Sequence, residues 1–278
     1  MRLKFLGTAA AEGVPAVFCN CPTCVKAREK GGKNIRTRSQ ILIDDDTLFD
    51  FPMDTYMHTL LYGLDLSAVK RVLITHSHMD HCYPQEFCMR GGPFAKNMTA
   101  SKVEIYGNPT VCQMFKSDTA REIRPAVEAG IEVKTVHPYD EIISDDMRII
   151  AVPASHTVGE ECLVYYVERN GQGVLLLNDT GVLDKSVYLR LAEMNVNVRA
   201  AVCDCTYGAM RHGAGRHMGL YDIVDQKSVM EQAGVLKSGA RIIATHLSHN
   251  TDLDYDGISK LAAEYNIAVA YDGMSVEI

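Results

Sequence analysis

The sequence contains no run of basic residues, and among its 278 positions 28 Lys and Arg stand against 35 Asp and Glu, a formal net charge of −7 at pH 7. A surface that tracks a nucleic-acid backbone needs clustered positive charge, so this balance argues against nucleic acid as a partner. No apolar stretch approaches the roughly 20 residues that a membrane-spanning helix needs, and no membrane partner is expected. The opening Met1-Arg2-Leu3-Lys4-Phe5-Leu6-Gly7 breaks too early for a signal peptide. The expected setting is therefore a reducing cytoplasm, where the nine cysteines serve as metal ligands or packing rather than disulfides. No linker, repeat or low-complexity segment interrupts the chain, so residues 1–278 read as one domain. At 47% hydrophobic and 23% charged residues the composition is ordinary globular, and the core does not need a metal to make up for small size.

What the chain does have is one dense stretch, Val72-Leu73-Ile74-Thr75-His76-Ser77-His78-Met79-Asp80-His81. The apolar run before it reads as a mostly buried strand. His76 and His78 are two apart, so in extended backbone they lie on one side and can grip one metal ion. Asp80 and His81 follow as the chain turns and point elsewhere, toward a second metal. A single histidine after a strand is usually a surface or hydrogen-bonded residue. Imidazole and carboxylate at this density instead suit zinc or manganese, with iron as a third candidate. The pattern His-x-His-x-Asp-His resembles the signature of the metallo-β-lactamase superfamily. That resemblance implies an α/β (α+β) fold, a four-layer αββα sandwich with the metals at one edge of its two sheets.

Alternation and turn residues predict strands at 2–6, 38–44, 47–51, 69–74, 102–106, 131–136, 147–152, 161–168, 173–177, 199–203, 240–245 and 267–270. Helices are expected at 25–30, 52–61, 84–89, 109–128 with a break near Pro125, 184–194, 222–233 and 257–265. Gly7 to Gly13 is a small-residue turn that lets backbone approach closely. Three strands end in a possible ligand: 147–152 runs to His156, 173–177 to Asp179 and 240–245 to His246. A rigid sheet positions such tips accurately. Taken singly, Asp179 before Thr180-Gly181 also reads as a turn residue, and His156 as an edge residue.

By the superfamily resemblance, one metal takes His76, His78 and His156, and the other takes Asp80, His81 and His246, with Asp179 bridging. Two divalent cations against two aspartates and a bridging hydroxide leave the site locally positive in an acidic protein. The same resemblance gives Asp50 and Asp204 as acids orienting ligand histidines, although Asp50 before Pro52 also reads as a turn or helix cap. Cys203 and Cys205 read as packing.

The segment Cys19-Asn20-Cys21-Pro22-Thr23-Cys24 offers three thiols, one ligand short of a tetrahedral zinc site. With Gly7-Thr8-Ala9-Ala10-Ala11-Glu12-Gly13-Val14-Pro15 before it and Asp272-Gly273-Met274 at the far end, it resembles the phosphoribosyl cyclic phosphate phosphodiesterases, the PhnP-like proteins. This family resemblance implies a structural zinc on Cys19, Cys21, Cys24 and His249, and a general acid/base at His217. It implies metal-assisted hydrolysis of a small phosphorylated anion, 5-phosphoribosyl 1,2-cyclic phosphate, by hydroxide generated between two metals. Arg211, Arg216 and Arg38 are candidates for a second phosphate by charge type alone. The chain departs from the family pattern at Tyr207, where a histidine follows Asp-Cys-Ser. Rival readings are an RNA 3′-processing or cyclic-nucleotide phosphodiesterase of the same superfamily, and a non-catalytic metal-binding carrier. The tight hairpin expected between His156 and Asp179 leaves no room there for a substrate-grasping RNA arm. A homodimer is the candidate assembly.

Overall fold

The computed structural model describes residues 1–211 and 215–278. A first sheet begins with β1 (Arg2–Gly7), β2 (Gln40–Ile43), β3 (Thr47–Phe49), β4 (Arg71–Leu73), β5 (Val103–Gly107) and β6 (Ile131–Thr135). A second contains β7 (Glu141–Ser144), β8 (Met147–Pro153), β9 (Leu163–Arg169), β10 (Gln172–Leu177), β11 (Val198–Asp204), β12 (Leu236–Thr245) and β13 (Ile267–Val269). The last strand, β14 (Ser275–Glu277), returns to pair antiparallel with β1. The strand orders are β14-β1-β2-β3-β4-β5-β6 and β13-β12-β11-β10-β9-β8-β7.

Each sheet is antiparallel at one end and parallel at the other, and the connections follow from that. β8-β9-β10 form a meander whose Asn170-Gly171 turn joins β9 to β10, as the Asn-Gly pair predicts. Parallel neighbours need crossovers, which helices supply. In the first sheet these are α2 (Thr55–Tyr62), and α3 (Pro109–Thr119) with α4 (Pro125–Glu128), while the β4–β5 crossover holds only a 3-10 helix at Pro84–Met89; α1 (Pro22–Lys30) precedes them in the long connection from β1 to β2. In the second sheet they are α5 (Lys185–Glu193), α6 (Leu220–Gln232) and α7 (Tyr255–Ala263).

Strand residues alternate between two cores because their side chains alternate between faces. Ile149, Ala151, Tyr165, Val167, Val174 and Leu176 meet Leu3, Phe5, Ile41, Ile43, Phe49 and Leu73 between the sheets. Their neighbours Ile150, Val152, Val164, Tyr166, Leu175 and Leu177 pack outward on Tyr188 and Leu191 of α5, Ile223 of α6 and Ile258 of α7. The outer face of the first sheet is covered by Phe87, Val111 and Phe115. Each fully buried Val, Leu or Ile contributes about 1.5–3 kcal/mol relative to exposure. The result is the αββα sandwich expected from the motif.

Differences from the expected elements have local causes. β7 and β14 are short outer strands with alternately exposed residues and carry no long apolar run. β9 starts at Leu163 rather than 161, after the loop in which Glu160 accepts from Ser77. β2 starts at Gln40, since Arg38 is turned to Asp54, to which it donates at 3.0 and 3.2 Å. Gly7 fits the close approach expected of its turn: a Cβ there would lie 1.9 Å from the Arg38 carbonyl oxygen. Among the described residues no helix is long and apolar enough to cross a membrane.

Candidate metal centre

Five strand ends converge at one edge of the sandwich. β4 runs into Thr75-His76, β8 toward His156, β10 to Asp179, β12 to His246, and β3 to Asp50. Three of these residues leave the strand in left-handed backbone: Asp50 at φ 62, Asp179 at φ 56 and His246 at φ 58. Such conformations in non-glycine residues are uncommon and cluster where function requires a particular aim. Here the sharp turn stops the strand and throws the side chain inward across its tip. Gly181 lets this edge close: a Cβ on it would lie 1.8 Å from the Gly215 carbonyl oxygen.

The convergence produces two groups of donor atoms, each lying within 4.8 Å of one another. One contains His76, His78, His156 and Asp179; the other contains Asp80, His81, Asp179 and His246. Asp179 Oδ2 lies 3.2 Å from His76 Nε2, 3.3 Å from His156 Nε2 and 3.1 Å from His81 Nε2. His78 presents Nδ1, 3.2 Å from His156 Nε2. Asp80 Oδ2 is 3.0 Å from His81 Nε2 and 3.9 Å from His246 Nε2.

The Nε2 atoms of His76, His81 and His246 are buried without a hydrogen-bond partner, despite carboxylate oxygens nearby. An unpartnered buried polar atom is costly, and three converging on carboxylates match a cation site. The donor chemistry, imidazole and carboxylate, fits divalent metal ions. Burial pushes His156 down to about 4 and also lowers His78, favouring the neutral ligating form. Burial opposes ionisation of Asp80, but the neighbouring His81 holds its carboxyl well below the usual range.

The opposite ring nitrogens are tied to the protein, which fixes ring orientation. His81 Nδ1 pairs with Asp50 Oδ2 at 2.7 Å, while Thr75 donates its N–H and hydroxyl to Asp50 Oδ1. His246 Nδ1 lies 2.9 Å from Thr206 Oγ1 and 3.3 Å from Asp204 Oδ2. His76 Nδ1 pairs with Thr75 Oγ1 at 3.0 Å, and His156 Nδ1 with the Arg216 carbonyl at 3.2 Å. Asp50 and Asp204 thus each contact a histidine of these groups. Thr75 and Thr206 make similar contacts that the sequence does not signal, because a threonine between a strand and a turn carries no distinguishing pattern.

His217 lies three residues before α6, with Nδ1 2.8 Å from Asp179 Oδ1 and 3.2 Å from Asp204 Oδ2. Burial opposes its charge, but the adjacent carboxylates of Asp179 and Asp204 raise it to about 10. Tyr207, at the departure from the family pattern, sets its ring edge-on to His217 with centroids 5.7 Å apart. Of the candidate arginines, Arg211 is ion-paired with Asp225 at an exposed position, and Arg38 with Asp54. Arg216 remains at the rim with an exposed side chain. Residues 213 and 214 of the glycine-rich loop 213–219 lie outside the described residues.

Cys19, Cys21, Cys24 and His249 form a separate group of donors within 4.8 Å of one another. His249 Nδ1 is 3.4 Å from both Cys21 Sγ and Cys24 Sγ, and all nine cysteines are free thiols. A hydrogen bond from the Cys24 backbone, helped by His249, lowers the Cys21 thiol to about 6, toward the thiolate that binds metal. Leu247, between His246 and His249, is strapped to the N-terminal turn: its N–H donates to the Thr8 carbonyl, and its carbonyl accepts from Ala10 N–H. If these four residues share one zinc, Cys21→Ser is expected to lower bound zinc by one equivalent and to lower Tm. It should weaken activity through His246 without abolishing it, and chelators should strip the histidine–aspartate groups first. Metal analysis of the variant matching wild type would sink this reading.

A family model described as Beta-lactamase superfamily domain matches residues 40–247. Over 158 residues the chain is 26% identical to a ribonuclease Z of Acaryochloris marina, covering 57% of this chain and 45% of that protein. Over 97 residues it is 34% identical to a coenzyme PQQ synthesis protein B of Methylobacterium radiotolerans, covering 29% of this chain and 31% of that one. The matches thus span less than half the length of these curated relatives. Among solved structures, a diphosphatase from the PhnP family has a TM-score of 0.73 at 20% identity, covering 100% of this chain and 97% of that one. Zn(2+)-bound PqqB from Methylobacterium extorquens has a TM-score of 0.72 at 16% identity, with 100% of both chains covered. Human tRNase Z, short form, has a TM-score of 0.66 at 16% identity, covering 100% and 99%. At such identities the likeness is one of fold. The family match takes in β2 to β12 and every residue of the two histidine–aspartate groups, and the chain belongs to the beta-lactamase superfamily.

Proposed function

We propose that the protein is a metal-dependent phosphodiesterase acting on a small phosphorylated anion. The observation that carries this reading is Asp179, whose carboxylate belongs to both donor groups and so can bridge two ions. Divalent ions held there would neutralise charge on the phosphoryl oxygens and acidify water. The chain's own residues supply the rest. Asp50, Asp204 and Thr206 hold the ligand rings in one orientation. Asp179 and Asp204 engage His217 at Nδ1, which leaves its Nε2–H to protonate a departing alkoxide oxygen. Arg38 and Arg211 pair with Asp54 and Asp225, and Arg216 is the rim cation best suited to a second phosphate. A cyclic phosphate of a phosphorylated ribose, 5-phosphoribosyl 1,2-cyclic phosphate, fits this pairing of a diester centre with one further anion.

The β9–β10 hairpin takes up the chain between His156 and Asp179, and the surface is acidic overall, so small substrates are favoured over RNA. The test is a panel with added manganese or zinc: bis(p-nitrophenyl) phosphate, ribosyl cyclic phosphates, 2′,3′-cyclic nucleotides, RNA 3′ ends, monoesters and a β-lactam. Small and cyclic diesters should be cleaved, and monoesters and lactams should not. Faster turnover of a lactam or thiolester than of any diester would refute the proposal. Preferential cleavage of RNA ends would move the assignment to RNA processing.

A further inference from the structure

Glu160 sits four residues after His156, in the loop between β8 and β9, and both its oxygens are engaged. Oε1 accepts from the Ser77 N–H at 2.9 Å and from Asn108 Nδ2 at 2.8 Å, and Oε2 accepts from the Ser77 hydroxyl at 2.7 Å. Ser77 is the residue between His76 and His78. Asn108 is the N-cap of α3, where its Oδ1 accepts from Val111 N–H at 2.9 Å. One carboxylate thus joins the His76–His78 turn, the His156 loop and the start of a helix packed on the first sheet.

The two donor groups differ in how they are held. His81 and His246 are buried and braced by Asp50, Thr206 and Asp204. In the other group His78 is exposed, and its side-chain partners are His156 and Thr157, with Thr157 Oγ1 3.3 Å from Nε2. Its partial exposure leaves that ring less enclosed than His81 or His246, and Ser77 is the adjoining residue whose backbone and side chain are both clamped. We infer that Glu160 is a positioning residue that sets His78 against His156, and so sets the ion affinity of the His76–His78–His156 group while leaving the other group unchanged.

This rests on reading that group as an ion site, and the test therefore measures ion binding rather than turnover. Protein stripped by chelation would be titrated with Co²⁺, following its absorption, in two backgrounds. His246→Ala removes one donor from the second group and His78→Ala one from the first, so that each background reports mainly on the other group. Loss of an outer partner typically weakens metal binding 10–100-fold. In the His246→Ala background, Glu160→Ala is expected to weaken Co²⁺ binding by about that factor. Glu160→Gln should recover most of the affinity, since its amide can accept from Ser77 N–H and donate to the hydroxyl. In the His78→Ala background neither change should matter. Equal weakening in both backgrounds would show a general structural role and overturn the inference, as would no change in the first. Wild-type protein taking up no Co²⁺ beyond the cysteine group would overturn the ion reading itself.

Discussion

Asp179→Asn is expected to lower diester hydrolysis by at least about 10³-fold, the scale of losing an essential catalytic group. The substitution keeps the side chain's shape but removes the charge that both donor groups share. Asp179 Oδ2 is within 3.3 Å of nitrogens from His76, His81 and His156, so no neighbouring oxygen can replace it for both groups at once. Asp80 is the other acid present, and it belongs to one group alone. The fold should survive, because three buried cores, none of which includes this residue, supply the stability. A Tm within about 5 °C of wild type would be consistent with that. The measurement is turnover together with bound-metal content. A near-wild-type rate with two ions retained would rule out Asp179 as the bridge.

The second large effect is expected at His217, and it should depend on the leaving group. A general acid contributes about 10²–10⁴-fold when the departing oxygen is an alkoxide. p-Nitrophenolate leaves without help. His217→Asn should therefore lower hydrolysis of an alkyl or ribosyl cyclic diester by about 10²–10⁴-fold, and of bis(p-nitrophenyl) phosphate by less than about tenfold. The two substrates control for structure, since a distorted metal centre would slow both alike. That control matters because His217 also lies in a donor group with Asp179, Asp204 and His246. Equal loss on both substrates, or loss of a bound ion, would make His217 a ligand or a support instead of the acid.

Much of this protein follows from sequence alone, and the reasons are local. Strands buried on both faces appear as near-continuous apolar runs, such as Val174 to Leu177, and the Asn170-Gly171 turn marks the hairpin beside them. His76, His78, Asp80 and His81 are legible because all four donors occur within six residues. His156, Asp179 and His246 are legible as polar tips on apolar strands. The Cys19–Cys24 motif is legible by spacing.

What only the tertiary structure decided depends on residues distant in sequence meeting in space. The left-handed turns at Asp50, Asp179 and His246, which aim three separate strand ends at one point, have no glycine to announce them. Glu160 reaches Ser77 across 83 positions, and Thr206 reaches His246 across 40. The same holds for charge. Nothing in the sequence pairs Arg211 with Asp225 or Arg38 with Asp54, because which carboxylate stands beside a cation is set by folding. Residue type and spacing determined which chemistry this chain can perform. Folding determined which of those groups are free to perform it, since only the packed sheets bring their partners within hydrogen-bonding distance.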